Sequence, residues 1–376
     1  MSETFLEARS TDPDWIGWLK RELAPTRLRE IRTAILVVGV VLCVIVSMTL
    51  QVPELALSAY MIFFFSKETK AITTIAGLGG LFGITIAIGV TLELYKFTYG
   101  YPELRIPVMA IALFVGMWLS RVSVIGALGF IIGFVVSYSQ SIAEQVPSPE
   151  LLVRGALWLW VALAYSIGLA VVLNHLFLPG SAETGNDRPK PRSLLKPDAL
   201  TNPAHVHFAL KVTFGAMFCY IFYSAIDWTG IHTAFITCIF IALESTEATL
   251  YKGMLRIVGC MIGGALAVFS IVFLIPHMET IASLIVLVAA VAAIAGWVAT
   301  GSERISYAGL QIAFAFFLSM FQGYAPDTDL DKIRDRVVGI LIGIAVTTVI
   351  FHYLWPERAQ VTPTSPVTPF DSSQAT

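Results

Sequence analysis

Three arginines stand at the beginning of long apolar stretches, where a guanidinium could bind a carboxylate. Arg154 begins one such stretch, and Arg334 and Arg336 begin another. Because guanidinium binds carboxylate through two parallel hydrogen bonds, these arginines are candidates for binding an anionic substrate. Two plainer roles stay open. Such cations often anchor a helix at the membrane surface, and Asp331 and Asp335 can pair with Arg334 along one helix.

Four more ionisable residues lie at the ends of two unusually short apolar stretches. They are Glu54, Asp227, His232 and Glu244. Ionisable groups at membrane depth are functional candidates, so we assign these four as candidates for coupling to protons. His232 can titrate near neutral pH, although a single histidine is more often a structural residue. The alternative for all four is that they lie where short helices end at the membrane–water interface and have no further role.

Arg121, Glu303 and Arg304 occupy matching loops in the two halves of the chain. They are candidates for a gate, and the simpler alternative is that they fix the orientation of the chain. Catalytic and nucleotide-binding motifs such as GxxxxGK[ST], GxSxG and HExxH do not occur. The four cysteines lie inside apolar stretches, without a CxxC pair or a cluster of histidines. We therefore expect no enzyme activity, no cofactor and no metal site.

The elements that carry these residues are apolar helices. The 376 residues are 56% hydrophobic and only 13% charged, whereas about 25% is usual for a soluble domain. Several apolar runs approach the roughly 20 residues that cross a bilayer as a helix. This excludes a soluble enzyme, a nucleic-acid-binding domain and a disordered protein, and it predicts an all-α polytopic membrane protein. Twelve segments are predicted: 32–50, 53–66, 71–92, 106–120, 122–143, 151–178, 207–226, 230–243, 254–275, 281–300, 305–322 and 333–355.

The distribution of cations sets the expected orientation. Most of the 24 Lys and Arg residues, including Arg32, Lys67 and Arg256, fall on the side that carries the N-terminus. By the positive-inside rule, both termini are then cytoplasmic. The predicted boundaries are a cytoplasmic N-terminal segment with an interfacial helix (1–31), a first six-helix repeat (32–178), a cytoplasmic linker (179–206), a second six-helix repeat (207–355) and a disordered tail (356–376).

The two halves resemble each other at a nearly constant offset. Arg32 corresponds to Lys211, the GxxxG motif at Gly79 to that at Gly259, Trp118 to Trp297, and His175 to His352. Because each half holds six spans, an even number, both insert with the same polarity. Parallel repeats of this kind are related by an axis along the membrane normal, and a shared path commonly forms between them. The short second and eighth spans occupy equivalent positions, which points to a transport site there.

Several motifs resemble the fusaric-acid-resistance family of bacterial efflux proteins, within the aromatic acid exporter superfamily. In the second half these are YSxxDWxGIHT (223–233), ATxSERxSYxGxQ (299–311) and IRDRxxGIxIG (333–343). In the first half, SMT (47–49), ALS (56–58) and PExxVR (149–154) are similar to the family's N-terminal half. The resemblance is greatest to the multidrug-resistance members that form the inner-membrane subunit of tripartite pumps.

The resemblance implies proton-driven export of small aromatic acids or amphiphilic drugs across the bacterial inner membrane. It also implies a periplasmic adaptor and an outer-membrane channel as partners, and it leaves a homo-oligomer open. Family members typically carry a cytoplasmic helical domain between the repeats, where this chain has a short linker. The family is related to plant aluminium-activated malate channels, whose six-span subunits dimerise around an anion path.

Three alternatives remain at this stage. A passive anion channel would show the same sequence features as a pump. A major-facilitator-type carrier would also have twelve spans, but its GxxxDRxGR loop is replaced here by SKETK at 66–70. A membrane scaffold without transport activity would have no central cavity.

Overall fold

The computed structural model describes residues 15–179, 194–242 and 246–354. Glu244, half of the predicted linker (180–193) and the predicted tail lie outside the described residues. The described chain is helical throughout, apart from loops and one short hairpin. It is an all-α polytopic membrane protein, as predicted.

The chain begins with a short helix, α1 (Trp15–Glu22), at the position of the predicted interfacial helix. Twelve longer helices follow, each within or overlapping one predicted apolar segment. The first half contains α2 (Arg27–Leu50), α3 (Leu55–Phe65), α4 (Lys70–Thr98), α5 (Pro102–Val122), α6 (Gly126–Ile142) and α7 (Pro149–Phe177). The second half contains α8 (Pro203–Ala225), α9 (Thr233–Ile241), α10 (Thr246–Phe269), α11 (Ile281–Ala299), α12 (Ser306–Met320) and α13 (Asp331–Tyr353).

Polar residues and prolines fix where several helices begin. Thr69, Ser148 and Thr280 each accept a hydrogen bond from the backbone N–H three residues further on. Pro149 and Pro203 occupy first-turn positions, where a missing N–H leaves no hydrogen bond unmade. These residues satisfy or avoid the unpaired donors of a helix N-terminus, so the local sequence sets these boundaries.

Helix length separates two groups. Nine of the described helices are long and apolar enough to cross a membrane. The helices α3 and α9 have 11 and 9 residues, which confirms the predicted shortness of the second and eighth segments. The eleventh segment, predicted over 305–322, is also short, since α12 has 15 residues. It ends there because β1 (Phe321–Gln322) pairs with β2 (Ala325–Pro326) in a hairpin.

Helix packing follows the same scheme in both halves. The third helix of each half packs on the fifth and sixth, and the second packs on the first and sixth. Between the halves, α5 packs on α8, and α11 packs on α2. In both cases the contact joins the fourth helix of one half to the first helix of the other.

Small residues permit the closest helix contacts. A Cβ atom placed on Gly133 of α6 would lie only 2.7 Å from the Cα of Gly116 in α5. On α13, a Cβ on Gly339 would clash with the Thr233 hydroxyl of α9. The GxxxG motifs at Gly129–Gly133 and Gly339–Gly343 are therefore packing faces, as expected for such motifs in membranes.

Two apolar clusters fill the interior. The larger joins α2, α3, α4 and α7 to α11 and α12, and the smaller joins α5 to α8, α9 and α13. Each cluster thus contains helices from both halves, which holds the halves together. Between them, α3, α9, α10, α12 and α13 bring together a set of buried polar groups.

Candidate functional site

The most deeply buried arginine is Arg256 on α10, with a relative exposure of 1%. Its Nε donates to Thr237 Oγ1 over 3.2 Å, and its Nη1 donates to Gln311 Oε1 over 2.8 Å and to the Tyr307 hydroxyl over 3.4 Å. Its Nη2 has no hydrogen-bond partner among the described residues. These contacts hold the guanidinium in one orientation and leave one donor available.

The sequence pattern counts Arg256 among the cytoplasmic cations, at the start of an apolar run. That run begins at 254, whereas α10 begins at Thr246. Arg256 therefore lies about three turns inside the helix, where it is enclosed by α9 and α12.

Arg336 on α13 supplies a second guanidinium to the same place. Its relative exposure is 8%, and neither its Nε nor its Nη1 has a hydrogen-bond partner among the described residues. The guanidinium carbons of Arg256 and Arg336 each lie 5.7 Å from the centre of the Phe314 ring. Two cations therefore share one half-buried aromatic ring on α12.

The first half of the chain contributes a tyrosine that contacts the ring shared by the two arginines. Tyr60 on α3 is 5% exposed, and its ring meets Phe314 edge-on at a centroid distance of 4.7 Å. Among the described residues, no carboxylate lies within ion-pair distance of Arg256 or Arg336. An unpaired charge in an apolar interior is strongly unfavourable unless an opposite charge joins it. The guanidinium pair with Phe314 and Tyr60, called the guanidinium site below, thus presents unpaired positive charge beside aromatic rings.

One predicted coupling residue, His232, lies within electrostatic range of Arg336, and a second, Glu54, is connected to Arg336 through Tyr138. The Tyr138 ring lies 6.4 Å from the His232 ring, between centroids. The Tyr138 hydroxyl is within electrostatic range of both Glu54 and Arg336, and His232 is within range of Arg336 as well. Glu54 precedes α3 with a φ of 64°, a left-handed conformation that is uncommon for a residue other than glycine. Glu54, Tyr138 and His232 therefore form a titratable group next to the guanidinium site.

Other predicted residues lie apart from this group. Asp227 is exposed in the turn after α8, with a φ of 53°. Arg334 is exposed and forms ion pairs with Asp331 at 3.0 Å and with Asp335 at 2.8 Å, so the local pairing foreseen for it is present. Arg154 is exposed on α7, and no contact among the described residues joins it to the guanidinium site.

The three gate candidates lie near helix ends. The Arg121 guanidinium stacks over Phe208 at 4.8 Å. Arg304, in the loop between α11 and α12, accepts a hydrogen bond from the Tyr251 hydroxyl at its backbone oxygen, 3.0 Å away. Glu303 in the same loop lines a cavity between the halves.

The loop after α11 is also tied to the N-terminal segment. The Arg29 guanidinium donates to the backbone oxygen of Trp297 and lies over its ring, 4.7 Å from the centroid. The Trp297 indole in turn donates to the backbone oxygen of Leu23 over 3.1 Å, and Ser302 pairs with Glu22. The start of the first half thus clamps the end of α11 in the second.

The described residues contain no group of three or more His, Cys, Asp or Glu that could hold a metal ion. All four cysteines are buried, and the sulfurs of Cys219 and Cys238 lie 3.5 Å apart in the packing between α8 and α9.

Comparison with known proteins bears on the same region. The sequence model of the family described as "Fusaric acid resistance protein-like" matches residues 218–350, a range that contains Arg256, Phe314 and Arg336. The chain is 38% identical over 169 residues to the multidrug resistance protein MdtO of Escherichia coli K12, and 37% identical to that of Shigella flexneri.

Each of these alignments covers 45% of this chain and 25% of the relative, so the chain matches about a quarter of the length of these relatives. No solved structure matches significantly. The resemblance inferred from the motifs is confirmed: residues 218–350 match the fusaric acid resistance protein-like family, and the aligned relatives are multidrug resistance proteins.

Proposed function

We propose that this protein exports small aromatic carboxylates or related amphiphilic anions across the bacterial inner membrane. The observation that supports this proposal is the guanidinium site, in which two buried arginines face Phe314 and have no carboxylate partner among the described residues. A substrate carboxylate would supply the missing charge, and its ring would pack against Phe314 and Tyr60. The relatives' name, multidrug resistance protein, agrees with an export role.

The proposed architecture has twelve crossings, two parallel six-helix repeats and both termini in the cytoplasm. The helix pairs that recur in both halves support the repeat. The short helices α3 and α9 occupy equivalent positions, and both contribute to the guanidinium site through Tyr60 and Thr237. Substrate sites in repeat transporters commonly lie near the bilayer midplane at interrupted helices of this kind.

Of the three arginines predicted from sequence, we propose that Arg336 binds the substrate directly, together with Arg256. Arg154 and Arg334, both exposed, would attract anions at the membrane surface. We propose Arg121, Glu303 and Arg304 for the cytoplasmic gate, because the loop of the last two is clamped by the N-terminal segment.

We further propose that export is coupled to protons. Glu54 and His232 are the favoured residues, because both lie within electrostatic range of the groups around Arg336. Asp227 and Glu244 are weaker candidates. A periplasmic adaptor and an outer-membrane channel are the partners we propose, by analogy with the family.

A passive anion channel is the second candidate function, since the same guanidinium site could line a pore. Flux in proteoliposomes separates the two. We expect benzoate to accumulate against its own gradient when a pH gradient is imposed, and to stop accumulating when a protonophore is added. Downhill benzoate flux that does not change when the protonophore is added would establish the channel instead. An absence of benzoate flux by the wild type, or equal flux in Arg336→Gln, would refute the anion-binding role.

A further inference from the structure

The cavity that Glu303 lines lies between the halves, at the membrane face that we propose to be cytoplasmic. It has a volume of about 190 Å³ and is bounded by the start of α2, the end of α3 and the loop after α11. Its polar lining includes Arg32, Lys67, Asn174 and Thr300. The cavity is therefore formed by residues from both halves of the chain.

The charges in this cavity are unevenly placed. The Arg32 side chain is 16% exposed, and its nearest acid, Glu68, is 3.7 Å away with its own side chain 74% exposed. Lys67 is half-buried, and among the described residues no carboxylate lies within ion-pair distance of its Nζ. Glu303, the other acid of the lining, is exposed. The cations thus occupy the interior of the cavity, while the acids stand at its rim.

An unbroken row of rings connects the cavity to the guanidinium site. Lys67 Nζ lies 5.0 Å from the centre of the Phe64 ring, and the Phe64 and Tyr60 ring centres are 6.2 Å apart. Tyr60 meets Phe314 at 4.7 Å. Tyr60 and Phe64 follow helical i, i+4 spacing, so they share one face of α3, and Lys67 comes two residues after the end of that helix. The row begins and ends at cations.

We infer that this cavity is the cytoplasmic access site for aromatic carboxylates, and that the ring row of α3 is their route to the guanidinium site. The carboxylate binds first to Arg32 and Lys67, the two cations of the cavity lining. The substrate ring then moves along Phe64 and Tyr60 to Phe314, where Arg256 and Arg336 replace the first pair of cations. This inference rests on the proposed function.

Neutralisation of one cavity cation tests the site. Lys67→Gln should raise the KM for benzoate export about tenfold, as expected for loss of a charged hydrogen bond, and leave kcat unchanged. Lys70→Gln is the matched control, because it removes the same charge from the start of α4, outside the cavity lining. Equal KM values for the two variants would overturn the inference.

A second measurement examines the cavity without relying on transport. Ser306 lines the cavity, and the native cysteines are all buried, so Ser306→Cys should be the reactive thiol in the full-length protein. We expect an anionic thiol reagent to label it from the cytoplasmic side, and benzoate to slow this labelling. Labelling that benzoate does not slow, or labelling from the opposite side only, would overturn the inference.

The two proposals fail in different ways. If the protein does not export aromatic carboxylates, wild-type flux of benzoate is absent whatever happens at Ser306→Cys. If only the access site is wrong, wild-type flux is present, Arg336→Gln abolishes it, and Lys67→Gln behaves like Lys70→Gln.

Discussion

Arg336→Met should weaken substrate binding and raise stability at the same time. The substitution removes the guanidinium but keeps an unbranched apolar chain beside Phe314, in a site that is 8% exposed. Most substitutions of buried residues destabilise a protein. The opposite is expected here, because the native side chain is a buried cation without a carboxylate partner among the described residues.

The magnitudes follow from the unpaired donors. Replacing even a buried ion pair by well-packed apolar residues is often stabilising by about 1–4 kcal/mol, and we expect a gain in the same range for a cation that has no partner. The corresponding rise in Tm is roughly 2 °C or more. Unpaired donors are available at Nε and at Nη1, on different edges of the guanidinium, and a hydrogen bond to a charged group contributes about 1.5–3 kcal/mol. Loss of one such bond to the carboxylate is therefore expected to raise the Kd for benzoate about tenfold to a hundredfold.

Arg105→Met is the matched control. Arg105 is 4% exposed, similar to Arg336, but it pairs with Glu144 at 3.1 Å, and the Tyr220 hydroxyl donates to the same carboxylate. Removing Arg105 leaves that carboxylate without its cation, so Tm should fall, with a loss of about 1–3 kcal/mol. The Kd for benzoate should stay at the wild-type value.

The assay is thermal unfolding of each purified variant, alongside equilibrium binding of radiolabelled benzoate. The reasoning is refuted if Arg336→Met lowers Tm as Arg105→Met does, since Arg336 would then be a structural residue. It is equally refuted if Arg336→Met binds benzoate within threefold of wild type.

Three further outcomes are expected. Phe314→Leu should reduce the preference for benzoate over acetate roughly fivefold in competition assays, because it removes the ring contact; an unchanged preference contradicts the ring's role. Gly309→Ala should lower Tm, since its Cβ would lie 2.6 Å from the Cα of Ala299, whereas Gly89→Ala meets open space and should leave Tm unchanged. Burial, and secondarily the charge of Arg32, lowers the pKa of Lys67 below the ordinary value of 10.5. Its positive charge is therefore lost at a lower pH than usual, and benzoate affinity should fall as pH rises through that range, but not in Lys67→Arg, which keeps its charge.

The sequence predicts the helices of this protein better than it predicts the partners of their side chains. Hydropathy and capping residues indicate where apolar segments lie, and even the shortness of α3 and α9 is visible in the residue pattern. The hairpin after α12 is not visible in the residue pattern, because Phe321 and Gln322 fall at the end of the predicted segment 305–322.

Arg256 illustrates what hydropathy misses. An apolar run marks where hydrophobic residues begin, whereas α10 begins earlier, through polar residues that continue the same helix. An arginine near the apparent boundary is then counted as an interfacial cation. The contact of Phe314 with Tyr60 is invisible for a different reason, since it joins residues of the two halves that only tertiary packing brings together.

The repeat itself explains why one half carries the charge. When the halves are aligned through Gly79 and Gly259, Arg256 falls opposite Ala76. Alignment through His175 and His352 places Arg336 opposite Leu159. Both equivalents are partly buried apolar residues packed on the larger cluster. A second guanidinium pair is therefore not expected in the first half, which instead contributes Tyr60 and the row of rings on α3. Under the proposed function, the anion would bind to one side of the proposed repeat axis, and the two halves would play unequal parts in its transport.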